Sequence, residues 1–309
     1  MARTYRPLDG VLLFDKPLEL SSNDALQKVR RLFQAEKAGH TGTLDPLATG
    51  LLPVCFGEAT KFSNVLLDAD KTYRAMLRLG QTTTTGDAEG EVTAEHPVDV
   101  TQAEIDAVLA KFRGEIQQLP PMHSALKHQG KPLYEYIRNG ETIERELRNV
   151  VIHELELNSF SGNKMDITVR CSKGTYIRTL AEDIGAALGC GAHLIGLRRT
   201  VVAHFDLRKG YTLPQLAAMS GAERDACILP TVCLMPAMPS LQLDAVQVQR
   251  LAQGQRLGLD TGLPDGKVSL HGPQGFIGVG LLQGRRLAPD RLLSDVAKRA
   301  ASSPPLSLD

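Results

Sequence analysis

The chain has 309 residues, more than one typical core accommodates, so its length predicts two domains. Apolar residues make up 42% of it, and 35 Lys plus Arg balance 35 Asp plus Glu, which argues against a disordered chain and against a strongly basic nucleic-acid binder. No apolar run approaches a membrane span, and Met1-Ala2-Arg3-Thr4-Tyr5-Arg6-Pro7 lacks the apolar core of a signal peptide, so a cytoplasmic protein is expected.

Gly10 to Asp15 is a short apolar run before Lys16-Pro17 and reads as a strand ending in a turn. Ser21-Ser22-Asn23 offers caps for a helix with Leu26, Val29 and Phe33 on one face. A glycine-rich segment, Gly39 to Gly50, follows, and Leu51 to Phe56 reads as a strand leaving it. Thr72 to Gly80 alternates, with Tyr73, Ala75, Leu77 and Leu79 on one face. Thr82 to Gly90 reads as a polar loop. Thr101 and Glu104 form a capping box for a helix that Gly114 closes. Leu119 to Asn149 is long, polar and proline-containing, either a surface excursion or an arm that grips a substrate. Two strands are expected over Val150 to Leu157 and through Ile167, Val169 and Cys171; a turn at Ser172-Lys173-Gly174 then leaves Tyr176 and Arg178 pointing one way. Leu180 to Leu188 is a helix closed by Gly189. Leu234 to Pro239 reads as a linker. Beyond it Asp244 caps a short helix, and Lys267 to Leu270 pairs with Phe276 to Leu282 as a hairpin. Residues after Ala301 are Ser/Pro-rich and expected to fray. The five scattered cysteines show no metal or disulfide spacing.

The segment Gly39-His40-Thr41-Gly42-Thr43-Leu44-Asp45-Pro46-Leu47-Ala48-Thr49-Gly50 holds three glycines, one proline and a single acid, Asp45. Such a stretch is not expected to run as an ordinary helix or strand. A loop that fixes one carboxylate is a candidate active site. Alone, it reads more readily as a turn whose Asp bonds nearby backbone.

Four separated segments together resemble the pseudouridine synthases of the TruB type, which act on uridine 55 in the T arm of transfer RNA. They are Gly10 to Pro17; Gly39 to Pro46 with Ala48-Thr49-Gly50; Lys71-Thr72-Tyr73; and Gly174 to Arg178 followed by Leu197-Arg198-Arg199-Thr200. Gly57 to Lys61, Leu119-Pro120-Pro121 and Ser124-Ala125 fit as well, so the match covers most of the first 235 residues in the family's order. The tail loosely resembles the PUA module, an RNA-binding β-barrel.

The resemblance implies an α+β fold: a mixed, largely antiparallel sheet flanked by helices over residues 1–235, with 119–149 as an RNA-gripping insertion. A small PUA-like β-barrel module follows over 240–300 and a flexible tail over 301–309. It implies isomerisation of uridine to pseudouridine by base flipping, with no cofactor and no metal, by a monomer that needs tRNA and neither membrane nor protein partner. An ionised carboxylate can bond transiently and then leave, and an ordinary Asp, with a pKa near ~4, is ionised at neutral pH. The resemblance puts that role on Asp45 and leaves open whether it attacks C1′ or C6. It implies Arg178 as the partner holding Asp45, since an unpaired buried charge is costly. It implies Tyr73 as a ring stacked on the target base and a possible acceptor of the C5 proton. Tyr176 and Leu197 would line the pocket, His40 would contact RNA near the flipped nucleotide, and Lys16 and Lys61 would meet phosphates. Three other readings remain at this point: an RNA-binding folding assistant in which the carboxylate is incidental, a guide-RNA-dependent relative, and a phosphate cradle, which lacks the Gly-Lys-Ser/Thr ending such loops use.

Overall fold

A computed structural model describes residues 5–296, apart from 125, 139 and 142. The tail expected to fray after Ala301 lies outside the described residues. The first strand, β1 (Gly10–Lys16), is buried at nearly every position, as a continuous apolar run requires. The Ser21 hydroxyl caps α1 (Ser22–Leu32) by accepting from the Asp24 N–H, and α1 buries Leu26 and Val29, with Phe33 just past its end. Then come β2 (Ala38–His40) and β3 (Ala48–Phe56), a 3-10 turn at Gly57–Phe62, the short α2 (Asn64–Leu67) and β4 (Lys71–Leu79). The strands β5 (Gln81–Thr83) and β6 (Val92–Glu95) pair as a ribbon, so the segment read as loop from Thr82 begins in a strand. The Thr101/Glu104 capping box opens α3 (Gln102–Lys111). Phe112 caps the end of α3, and Gly114, at φ 88°, starts β7 (Gly114–Gln118) rather than closing the helix.

The polar excursion carries β8 (Lys127–His128), β9 (Lys131–Pro132) and α4 (Leu133–Arg138). After it run β10 (Arg148–Ser161) and β11 (Lys164–Cys171), joined at the Gly162 turn, then α5 (Ile177–Ala187) and β12 (Ala192–Val202). The strands β13 (Phe205–Asp206) and β14 (Tyr211–Thr212) and the helices α6 (Leu213–Ala218) and α7 (Gly221–Ala226) complete this part.

One ten-stranded sheet unites these strands in the order β14-β1-β3-β12-β4-β11-β10-β7, with β2 on β3 and β13 on β12. All pairs are antiparallel except β1 with β14 and β3 with β12. The fold is thus α+β with a mixed, largely antiparallel sheet. Among the described residues three apolar cores pack on it, one of them, with Val11, Leu13, Leu51, Phe62 and Val279, reaching the C-terminal part; the other two set the site. One lies between β4, β10 and β11 and the helices α3 and α5; the other lies between β1, β3 and the helix α1. Tyr73 and Leu197 pack against both cores, which marks the place where they meet.

No local pattern announces β12. This central strand holds Gly196 and two register shifts, so no clean alternation is visible, yet it pairs with both β3 and β4. The helix α5 begins three residues before the expected Leu180, because its cap, Tyr176, supplies no side-chain hydrogen bond that could announce it.

The C-terminal part forms a second, five-stranded sheet in the order β15-β17-β18-β19-β16. Its strands are β15 (Ser240–Gln242), β16 (Leu257–Gly258), β17 (Gly266–Gly272), β18 (Gly275–Gln283) and β19 (Arg286–Leu292), with α8 (Ala245–Ala252) capped by Asp244. The expected hairpin is β17 with β18. A leucine-rich core holds this part together, including Leu251, Leu257, Leu270, Leu282 and Leu287.

Candidate active site

Asp45 sits in the turn between β2 and β3. Only residues 41–47 of the glycine-rich segment form a true loop, because Gly39 and His40 belong to β2 and Ala48 to Gly50 to β3. Gly50 stands inside a strand at φ 101°, and a Cβ there would lie 2.3 Å from the Arg199 carbonyl oxygen. That glycine therefore serves close backbone packing of β3 against β12, not approach of a ligand.

The loop is held from several sides. The Ser22 hydroxyl accepts from the Leu44 N–H at 2.7 Å and donates to the Leu44 carbonyl at 2.9 Å. The Glu19 N–H donates to the Pro46 carbonyl at 3.0 Å, and the Ala48 N–H to the Asp45 carbonyl at 3.0 Å. From below, the fully buried Arg199 donates through Nε to Leu51 O at 2.7 Å and through Nη2 to Gly42 O at 3.2 Å. The backbone around Asp45 is thus fixed while its side chain stays 43% exposed.

Arg178 meets that carboxylate, with Nη2 at 3.0 Å from Asp45 Oδ2. It stands in the first turn of α5, not on a strand as the Tyr176/Arg178 alternation suggested. A cation at a helix N-terminus opposes the helix dipole, and two carboxylates offset it. The second is Asp87, whose Oδ2 lies 3.4 Å from Arg178 Nη1. Arg178 also donates to the carbonyls of His123 at 2.6 Å and Thr85 at 3.3 Å. Asp87 is itself buried and accepts from the Thr85 hydroxyl at 2.5 Å and the Glu89 N–H at 3.1 Å. It was not recognised from sequence, since one acid in a polar loop between glycines carries no period; the loop docks on β12 through the Ala88 N–H to Leu194 O and the Leu194 N–H to Gly86 O.

Two cavities flank the Asp45–Arg178 pair. The larger, about 520 Å³, is lined by Ser21, Asn23, His40, Asp87, Glu89 and His123, among others. The smaller, about 180 Å³, is walled by Tyr73, Tyr176, Ile177, Leu197, Thr175 and Ser124. Asp45, Arg178, Thr43 and Leu44 belong to both. Tyr73 comes from β4 and Leu197 from β12, while Tyr176 is held between the Gln118 amide oxygen and nitrogen at 3.0 and 3.3 Å. Burial raises the phenols of Tyr73 and Tyr176 above their ordinary value, and Arg199 pulls the first back. Burial, and then Arg199, lowers His40, so its imidazole is neutral at physiological pH; its Nδ1 is buried without a partner. Burial and the carboxylates of Asp87 and Asp45 raise Glu89.

The structure does not bring Lys16 and Lys61 to the walls of these cavities. Lys16 is fully buried and donates to the carbonyls of Pro17 at 2.9 Å and Leu20 at 2.6 Å, shaping the turn that leads into α1. Burial lowers its ammonium to about 8. Lys61 bonds Glu58 at 2.8 Å, Ser294 Oγ at 2.7 Å and Leu292 O at 3.2 Å, tying the 3-10 turn to the C-terminal part. Phosphate contact through these two ammonium groups would require breaking internal hydrogen bonds.

The family model described as "TruB family pseudouridylate synthase (N terminal domain)" matches residues 30–177, and those for the C-terminal domains of the same group match 178–236 and 239–293. The chain belongs to the TruB family of pseudouridylate synthases. Relatives named tRNA pseudouridine synthase B support this. That of Methylobacillus flagellatus is 56% identical over 94% of this chain and 97% of its own length, and that of Azoarcus sp. is 56% identical over 94% and 96%. A chain from the crystal structure of a Cbf5-Nop10-Gar1 complex superimposes with a TM-score of 0.71 at 26% identity, over 92% of this TruB-family chain and 84% of that one.

Proposed function

We propose that this isomerase converts uridine 55 in the T arm of tRNA to pseudouridine, with Asp45 as the nucleophile. The observation that carries the reading is the Asp45–Arg178 contact of 3.0 Å, set where the two cavities meet and beside Tyr73. The target base, stacked in the folded T arm, must be extruded to expose C1′ and C5. The smaller cavity is the place for the flipped uracil, against Tyr73, Tyr176 and Leu197. The larger takes the neighbouring RNA, and a neutral His40 there suits stacking in the gap left by the flipped base better than phosphate contact.

In the reaction the N1–C1′ bond breaks, the Asp45 carboxylate bonds transiently to C1′ or C6, the base turns, and a C5–C1′ bond forms. C5 gives up its proton, N1 gains one, and no electrons are exchanged. Arg178 holds the carboxylate by charge and hydrogen bonding, so attack needs no search for a rotamer. Tyr73 lines the smaller cavity beside Asp45 and is the candidate to receive the C5 proton.

On this reading residues 1–235 act as the catalytic unit with 119–149 gripping RNA, and 240–300 as a PUA-like RNA-binding module, in a cytoplasmic monomer. Among the described residues no helix is long and apolar enough to cross a membrane. The test is tritium release from a T-arm RNA labelled at uridine C5. Asp45→Asn is expected to abolish release while RNA binding persists; a folded wild-type protein that releases no tritium, or an Asp45→Asn protein with full turnover, overturns the reading. A mere folding assistant would be indifferent to this substitution in every assay.

A further inference from the structure

Among the described residues Arg199 is the largest fully buried side chain, and no carboxylate lies within ion-pair distance of it. A buried guanidinium without an anionic partner is costly unless its donors are met and its charge has a use. The carbonyls of Leu51 and Gly42 meet two of its donors. Gly42 stands at φ 110°, and a Cβ there would lie 3.6 Å from Arg199 Nη1, so the side chain fills the underside of the turn that precedes Asp45. The same residue is the direct cross-strand partner of Tyr73 in the β4–β12 ladder. Side chains at such a pair stand on one face, about 4.5–5.5 Å apart at Cβ.

We propose that Arg199 is a positioning residue for the isomerisation, its one guanidinium fixing the Tyr73 ring and the turn before Asp45 as a single unit. This rests on the reading of Tyr73 as the group facing the flipped base. The consequence is geometric first. Tyr73 comes from a sheet strand and Asp45 from a loop, and without a common anchor their separation would vary as the loop moves. Arg199 removes that freedom, because displacing the Gly42 carbonyl leaves a buried donor unmet, while its side chain stands beside Tyr73 across the β4–β12 pair.

The second consequence is electrostatic. Burial raises the Tyr73 phenol, Arg199 pulls it down, and Cys171 and Asp45, which also face it, push it up weakly. Arg199 thus favours the phenolate, the form able to take a proton from C5. Its field also reaches His40, Lys16 and Lys71, each of which it helps to keep from charging.

The experiment compares single-turnover pseudouridine formation in wild type, Arg199→Met, Arg199→Lys, Tyr73→Phe and the Arg199→Met/Tyr73→Phe double variant, with folding checked by thermal melts. Arg199→Met is expected to slow the step about 100-fold at saturating RNA, with KM held within about threefold. The rising limb of its pH–rate profile should move to higher pH, Arg199→Lys should restore part of the rate, and the double variant should be little slower than Tyr73→Phe alone. Wild-type rate in Arg199→Met, or a loss that simply multiplies that of Tyr73→Phe with an unmoved pH profile, overturns the proposal. If Arg199→Met does not fold, Arg199→Lys decides: full rate with an unshifted pH profile overturns the proposal, whereas a slowed step with a shifted profile supports it. Full turnover in Tyr73→Phe overturns instead the reading of Tyr73 on which the proposal rests.

Discussion

The cleft around Asp45 and the C-terminal sheet solve opposite problems. At the cleft the interior is polar: Arg178, Arg199, Asp87, Lys16 and Thr41 are all buried, and the loop is tied down through the N–H groups of Thr41 and Leu44 and the carbonyls of Gly42, Leu44, Asp45 and Pro46. In the C-terminal sheet the interior is leucine, valine and isoleucine, closed by an ordinary hairpin. Apolar cores tolerate exchange so long as volume is kept. Buried ionic clusters do not, because removing one member strands the others. The difference teaches that the part around the cleft gives up cheap stability for fixed geometry, while the tail needs only shape. The two halves meet through both chemistries, with Phe62 against Phe276 edge to face at 5.6 Å beside the Lys61–Glu58–Ser294 cluster.

The sharpest way to test this contrast is Arg178→Met. It leaves the buried Asp87 unpaired, so unfolding in urea should show a loss of about 3–5 kcal/mol, and turnover should fall roughly 100- to 1000-fold. A stable, active variant would remove the distinction between the two regions. Next comes Leu270→Ala at the centre of the tail core, with no exposed surface. It should cost about 2–5 kcal/mol, read as faster amide exchange over 266–283, while turnover on a short T-arm RNA stays close to wild type. Loss of turnover there would mean that the tail positions the cleft.

The smallest effect is in the pH dependence of stability. Lys16 is lowered by burial from its ordinary 10.5 to about 8. Between those values the unfolded chain binds a proton that the folded chain does not. The burial penalty of the charge is therefore full below about 8 and is relieved as pH rises toward 10.5, so this residue makes stability rise with pH in that window. Lys71, also lowered to about 8, adds the same sign. Urea unfolding of wild type against Lys16→Met from pH 7 to 10 should show the wild type gaining relative to the variant; a flat difference would mean that the ammonium is not held in the folded protein as its two carbonyl contacts require.

Much of the fold was legible. The runs of β1 and β3, the caps of α1 and α3, and the alternation of β4 each rest on local patterns that survive tertiary packing. What escaped lacks a local signature: β12 with its interior glycine and register shifts, and the uncapped start of α5. In the cleft, Asp45 and Arg178 were nameable because their motifs resemble a known family. Asp87, an acid in a polar loop, was not, and Arg199 lies in a matching motif that assigns it no role. A motif lysine suggests phosphate, but local sequence does not reveal that Lys16 and Lys61 each complete backbone or domain contacts here.

By itself the sequence determined which residue types were available: one acid in a glycine-rich turn, an aromatic on an apolar strand face, and arginines in the right order. Tertiary structure alone decided which of them meet. Arg178 is 133 residues from Asp45 and Arg199 is 126 from Tyr73, and only the β3–β12 and β4–β12 pairings close those distances. The reason is that charge pairing inside a protein is a property of position in three dimensions, set by which backbone strands exchange hydrogen bonds, and no period along the chain encodes it.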